Sequence, residues 1–135
     1  MPRFERFFLA IVGLIFLGLG SFNLFFPAIG MAGFEIEVVT VSALNEIRAN
    51  YGGMHFAMGL LFVSGVFVGP VRVAALLVVA LFTGGLVLGR SLSLVLDGSP
   101  NLLLWGLFAL EALGCFVASV LVKRAWQSTM NHGNA

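Results

Sequence analysis

Three or four apolar runs, each about twenty residues long, leave this chain few ways to fold. A helix of that length crosses the roughly 30 Å hydrocarbon core of a bilayer. Apolar residues make up 60% of the 135 positions and charged residues 10%, against about 45–50% and about 25% in soluble domains. The formal net charge of +1 is too small to suggest nucleic acid as a partner. One cysteine, Cys115, excludes an internal disulfide and a cysteine-based zinc cage. The expected fold is an all-α integral membrane protein, a four-transmembrane-helix antiparallel bundle.

The predicted spans cover residues 7–26, 51–68, 71–96 and 102–122, with an outer loop at 27–50 and a polar tail at 127–135, all in a single membrane domain over 1–135. The first span follows Arg3 and Arg6 and stops at Pro27, which a helix interior tolerates poorly. A cleaved signal peptide is the competing reading. The apolar run continues through Phe22, Leu24, Phe25 and Phe26 without a polar region before cleavage, which argues against it. In the outer loop, residues 34–38 alternate with period two, as an extended piece with one wet face would. Ser42 is placed to cap a helix that begins at Ala43 and runs through Arg48. Gly69-Pro70 breaks the second span from the third, and a link that short demands a helical hairpin. Before the fourth span, Ser99 is placed as the N-cap and Pro100 as the first helical residue.

Basic residues set the expected orientation. With the N-terminus inside, Arg3, Arg6, Arg72, Lys123 and Arg124 are cytoplasmic, as the positive-inside rule requires. Both termini are then cytoplasmic, and the loop with Glu35 and Glu37 is external.

Ionisable groups within a bilayer are costly, and each is by default a hypothesis about function. Arg48, Tyr51, His55, Arg90 and Glu111 sit at or within the predicted spans. The first three are spaced by three and four residues, one face of a helix. At 1.5 Å per residue, His55 lies about 6 Å, Arg90 about 9 Å and Glu111 about 14 Å below the outer boundary. All therefore fall in the outer half of the bundle, with Glu46, Ser93 and Asp97 as a polar rim, while the inner half is apolar. Two readings follow. Arg90 and Glu111 form a structural ion pair that locks two helices. Alternatively, an outward-facing pocket uses Arg48 and Arg90 to hold an anionic or carbonyl group, with Tyr51 and His55 orienting it.

Enzymatic readings are weaker, and no catalytic residue is assigned. The chain has two histidines, His55 and His132, on opposite sides of the expected membrane. That leaves no metal site and no bis-histidine haem, and no cofactor is expected. No nucleophile elbow or phosphate-cradling glycine loop is present. Glycines recur in every span, and Gly85-x-x-x-Gly89 fits the small-xxx-small pattern of helices that approach closely in lipid. Packing within one bundle is the plainer use of these glycines, and a homodimer face is the sharper one.

The stretch Glu46-Ile47-Arg48-Ala49-Asn50-Tyr51-Gly52-Gly53, with Gly59 behind it, resembles the central motif of a bacterial family of small four-helix membrane proteins catalogued as domain of unknown function 4345. Gly89-Arg90-x-x-Ser93, then Asp97-Gly98 and Pro100, then Glu111, is similar to the rest of that family's pattern, so the likeness covers nearly the whole chain. It implies a multi-pass protein of the bacterial inner membrane and brings no activity with it. The architecture also resembles the broader DoxX-like group, some members of which are tied to quinone-linked redox chemistry, a likeness of fold that does not carry function. The expected role is that of a non-enzymatic binding or accessory protein for a small amphipathic or anionic ligand, such as a lipid head group. The alternatives are a quinone-binding redox-accessory subunit and a structural partner of a larger membrane complex.

Overall fold

The computed structural model describes the backbone of residues 2–133 and the side chains of residues 3–127. It is helical, with no strand among the described residues: α1 (Pro2–Phe25), α2 (Pro27–Ala32), α3 (Val41–Ile47), a π-helical segment (Arg48–Gly53), α4 (Met54–Phe67), α5 (Gly69–Leu96) and α6 (Leu102–Gly133). Three helices, α1, α5 and α6, are long and apolar enough to cross a membrane. Their exposed apolar side chains, among them Leu14, Leu81, Leu88 and Phe116, form the kind of surface that lipid covers and water does not. The chain divides into two compact units, Met1–Arg72 and Val73–Ala135, with the boundary in the first turns of α5.

In the first unit, α1 buries Leu9, Gly13, Phe16, Gly20 and Asn23, positions that advance by alternating steps of four and three. This is a narrow seam of the kind that antiparallel helices share. The facing element is α4 with the π segment before it. Gly13 faces Val63, Leu17 faces Gly59, Gly20 faces Phe56 and Leu24 faces Gly52. Steps of four, three and four down α1 are thus matched by equal steps back through α4, and in every pair a glycine meets a larger residue. The backbones come close enough that a Cβ on Gly20 would lie 2.4 Å from the Phe56 amide nitrogen, and one on Gly59 would lie 2.7 Å from the Leu17 nitrogen. Close approach of this kind is how small residues stabilise helix pairs in lipid, where dispersion contacts replace the hydrophobic drive.

The connections show where local chemistry differs from the sequence reading. Thr40, not Ser42, caps α3: its side chain accepts from the Ala43 amide at 3.1 Å, and Ser42 lies one residue inside the helix. Only 36–39 of the outer loop is irregular, because Phe34 and Glu35 are taken up in a turn that closes α2. There the Ile36 amide donates to the Met31 carbonyl at 3.3 Å, and Glu35 takes a φ of 59°, a left-handed conformation that glycine adopts more cheaply. Val68 is the extended residue between α4 and α5. Pro70 falls in the first turn of α5, where its missing N–H costs no helical bond.

In the second unit, α5 buries Leu76, Val79 and Thr83, and α6 buries Ala118 and Leu121. The Cys115 thiol donates to the Ala80 carbonyl at 3.5 Å. A Cβ on Gly84 would meet the Cys115 sulfur at 3.3 Å, so this glycine too serves packing inside the unit. Gly85 and Gly89 differ: nothing lies within 4 Å of a Cβ built on either. The start of α6 is shifted from the reading given above. Asn101 caps it by accepting from the Leu104 amide at 3.1 Å, while the Ser99 hydroxyl is occupied by the Trp105 indole N–H at 3.1 Å, so Ser99 and Pro100 stay in the turn. At its other end α6 is helical to Gly133, through most of the tail predicted at 127–135; side chains from residue 128 on, including His132, lie outside the described residues.

Candidate functional site

The first unit concentrates its polar side chains at the π segment. Here the Met54 amide donates to the carbonyl of Ala49, five residues back, so the turn holds one residue more than an α-helical turn. π turns of this kind occur frequently at functional sites. The extra residue changes which groups share a face. Tyr51 and His55 lie together, their rings stacked at 6.1 Å with 8° between planes. His55 also stacks on Phe16 of α1, at 5.3 Å and 22°. Arg48 turns instead toward the end of α1, where its Nε donates to the Leu24 carbonyl at 3.0 Å.

That bond has a cause in the chain. α1 ends at Phe25 because Phe26 leaves helical geometry, with φ −126° and ψ 55°, so the carbonyls of its last turn, Leu24 among them, lack intrahelical amide donors. A guanidinium at a helix C-terminus both donates there and meets the negative end of the dipole. Arg72 does the same for α4. It is buried, and it donates from Nε to the Gly65 carbonyl at 3.0 Å and from Nη2 to the Val66 carbonyl at 3.3 Å. In the sequence Arg72 counts only as a topology charge; in the fold it also closes a helix end.

The His55 Nδ1 lies 3.1 Å from the Asn50 carbonyl. A carbonyl can only accept, so Nδ1 carries the hydrogen, and in the neutral ring Nε2 is an acceptor. Glu46 is engaged by Asn50, whose Nδ2 donates to its Oε2 at 2.8 Å, and is therefore part of the local fold of the π segment. The terminal amino groups of Arg48 have no partner among the described residues, and Arg48 and Tyr51 are both exposed.

Asn50 has no role of its own in the sequence reading beyond its place in the motif, and Asn23 does not figure there. Asn23 is buried on the α1 seam. Its Nδ2 donates to the Leu19 carbonyl at 2.9 Å, and its Oδ1 has no hydrogen-bond donor but presses on Gly30, where a Cβ would overlap it. The signal available was its position four residues before Pro27, where a carbonyl loses its helical donor.

The second unit holds the other pair. Arg90 of α5 and Glu111 of α6 meet in a two-pronged ion pair, Nε to Oε2 at 2.6 Å and Nη2 to Oε1 at 2.9 Å. The side chains are 25% and 13% exposed. This fork geometry is specific to guanidinium and carboxylate. Asp97 does not reach Arg90; it accepts from the Ser93 hydroxyl at 2.8 Å. Arg90, Ser93, Pro100 and Trp105 line a cleft of about 70 Å3, well below the roughly 300–1,000 Å3 of drug-sized ligand sites. Room for a few waters or one small group is what it offers. Among the described residues no three His, Cys, Asp or Glu side chains converge as metal ligands would. The structure thus brings Tyr51 to His55 and Arg90 to Glu111, and it sends Arg48, Glu46 and Asp97 to separate local partners.

Fold and sites together define a helical protein with membrane-length apolar helices and two local clusters of polar side chains. The chain belongs to the family described as Domain of unknown function (DUF4345), whose family model matches residues 4–122. Comparison with curated proteins and with solved structures finds no match.

Proposed function

We propose that this is a four-span protein of the bacterial inner membrane that binds a small anionic or amphipathic molecule at the π segment, without catalysing a reaction. The observation that carries this reading is the state of Arg48. One nitrogen is fixed on the Leu24 carbonyl, while its terminal donors remain open on the same segment as the exposed Tyr51, whose ring stacks on the half-buried His55 of α4. A fixed guanidinium is a ready anion contact, and the rings offer a flat apolar wall. Tyr51 can donate to the ligand, and His55, held at the Asn50 carbonyl and stacked on Phe16, orients that ring by stacking on it. In the second unit Arg90, anchored by Glu111, lines a cleft suited to one small polar group. A lipid head group fits this chemistry, and so does a quinone, whose planar ring would lie on the aromatic wall.

The test is native mass spectrometry of the detergent-extracted protein. A small molecule should be retained at near one per chain. Tyr51→Leu should remove most of it with little change in melting temperature, since the ring is exposed. Arg48→Gln should remove it as well and also lower stability modestly, because the Leu24 carbonyl loses a charged donor. Retention unchanged in both variants would rule out this site.

The span predicted at 51–68, which would bring the number to four, rests on residues 41–67. Backbone angles stay helical at Arg48 and Met54, the junctions of α3, the π segment and α4, so the helix runs unbroken. The π segment and α4 together approach the roughly 30 Å that a span requires. With four spans, the basic residues place both termini in the cytoplasm. Reporter fusions after Lys123 should then be active only in the cytoplasmic sense, and fusions near Glu37 only in the external sense. A cytoplasmic signal at Glu37 would refute the outward-facing site.

A second reading, a structural partner or homodimer that packs through α5, is favoured by Gly85 and Gly89, where an added Cβ meets open space. The same mass spectrum separates the two by reporting oligomeric state beside bound ligand.

A further inference from the structure

A concave surface of the second unit more spacious than the Arg90 cleft lies away from Arg90. It is a groove of about 420 Å3 between α5 and α6, within the roughly 300–1,000 Å3 that ligand sites occupy. Its lining changes along the helices. Leu77, Leu81 and Val122 make an apolar wall, and Lys123 and Trp126 stand at the C-terminal edge. Counted from Leu102 at 1.5 Å per residue, α6 reaches Lys123 after roughly 30 Å, the thickness of the hydrocarbon core. Lys123 and Trp126 are thus at the level of a membrane boundary, where ammonium and indole groups settle. The contact of Cys115 with Ala80 sets Leu81 about two turns of α6 deeper, on the order of 10 Å inward. Leu81 is 67% exposed and Trp126 is 62% exposed, so the groove is open along its length.

A cationic mouth at the boundary and an apolar trough below it match the polarity of one kind of molecule. We propose that the groove holds an anionic glycerophospholipid, with an acyl chain along Leu77, Leu81 and Val122 and the phosphate at the Lys123 ammonium, next to Arg124. A second copy of the chain fits less well. Packed through the same groove in the same membrane orientation, it would bring its own Lys123 and Arg124 against those of the first copy, and α6 carries no Asp or Glu after Glu111 to offset them. This site is independent of the π segment and stands whether or not that segment binds a ligand.

The experiment is native mass spectrometry of the detergent-extracted chain titrated with phosphatidylglycerol and with phosphatidylcholine of the same acyl composition. The natural protein should retain phosphatidylglycerol in preference. Lys123→Gln should lower that preference about fivefold, the worth of one lysine at an anionic surface, and Lys123→Arg should restore it. Leu81→Trp, which fills the trough, should lower retention of both lipids, and melting curves should confirm that each variant remains folded. Equal retention of the two lipids by the natural protein would overturn the proposal. So would a Leu81→Trp variant that folds and binds both lipids as before, or a dimer that forms through this face and excludes lipid.

Discussion

Gly20→Ala should destabilise the protein far more than the same change at Gly18, Gly85 or Gly89. A Cβ on Gly20 would lie 2.4 Å from the Phe56 nitrogen, 2.7 Å from its Cα and 2.9 Å from the Gly52 oxygen. All three are backbone atoms of a facing helix, and no rotamer change can move them aside. Accommodation requires α1 and α4 to separate, which loosens the three other interlocked pairs of the seam. Overpacking of this kind costs about 1–3 kcal/mol and sometimes more. At Gly18, Gly85 and Gly89 nothing lies within 4 Å of an added Cβ, and alanine there gains up to about 1 kcal/mol of helix propensity. Thermal melts in detergent should therefore move down for Gly20→Ala and stay level or rise for the other three. Equal shifts at Gly20 and Gly18 would show that the two backbones are not in contact.

The second large effect belongs to Arg90 and Glu111. Breaking a buried pair by removing one partner costs roughly 3–5 kcal/mol, because the other charge is left without compensation, whereas replacing both with apolar groups is often neutral. Arg90 is 25% exposed on its side chain, and solvent screening moves the expected loss toward the lower end of that range. Arg90→Met and Glu111→Leu should each lower the melting temperature, and the double variant should recover most of the loss. Each single change strands a charge; the double change strands none. Losses that simply add in the double variant would mean that the two side chains do not act as a pair in the folded protein.

Helical class and the long apolar elements were legible because a bilayer imposes them through length and hydropathy, quantities a sequence carries directly. The residues singled out as unusual were legible for a related reason: an arginine or glutamate within an apolar run stands out whatever it contacts. What each of them contacts was not legible to the same degree. Arg90 with Glu111 was one arrangement among several that spacing and reach allowed, since Asp97, on the same helix, was also within the side chain's reach. The choice depends on how α5 faces α6 within the second unit. The caps at Thr40 and Asn101 were misplaced because neighbouring Ser, Thr and Asn residues compete for the same role, and side-chain partners such as the Trp105 indole decide between them.

The sequence alone determined that this chain is helical and built for lipid, and which polar groups in it are exceptional, because those follow from composition summed over whole segments. Tertiary structure decided the rest. Regular helical spacing put Arg48 on one face with Tyr51 and His55, but the π turn, which adds one residue to the winding, sends Arg48 to the carbonyl of Leu24 and leaves the two rings stacked. It also sorted the glycines into those that let α1 and α4 touch and those, Gly85 and Gly89, that meet open space. A glycine in a sequence says only that a side chain is missing; the facing helix determines whether that absence is occupied.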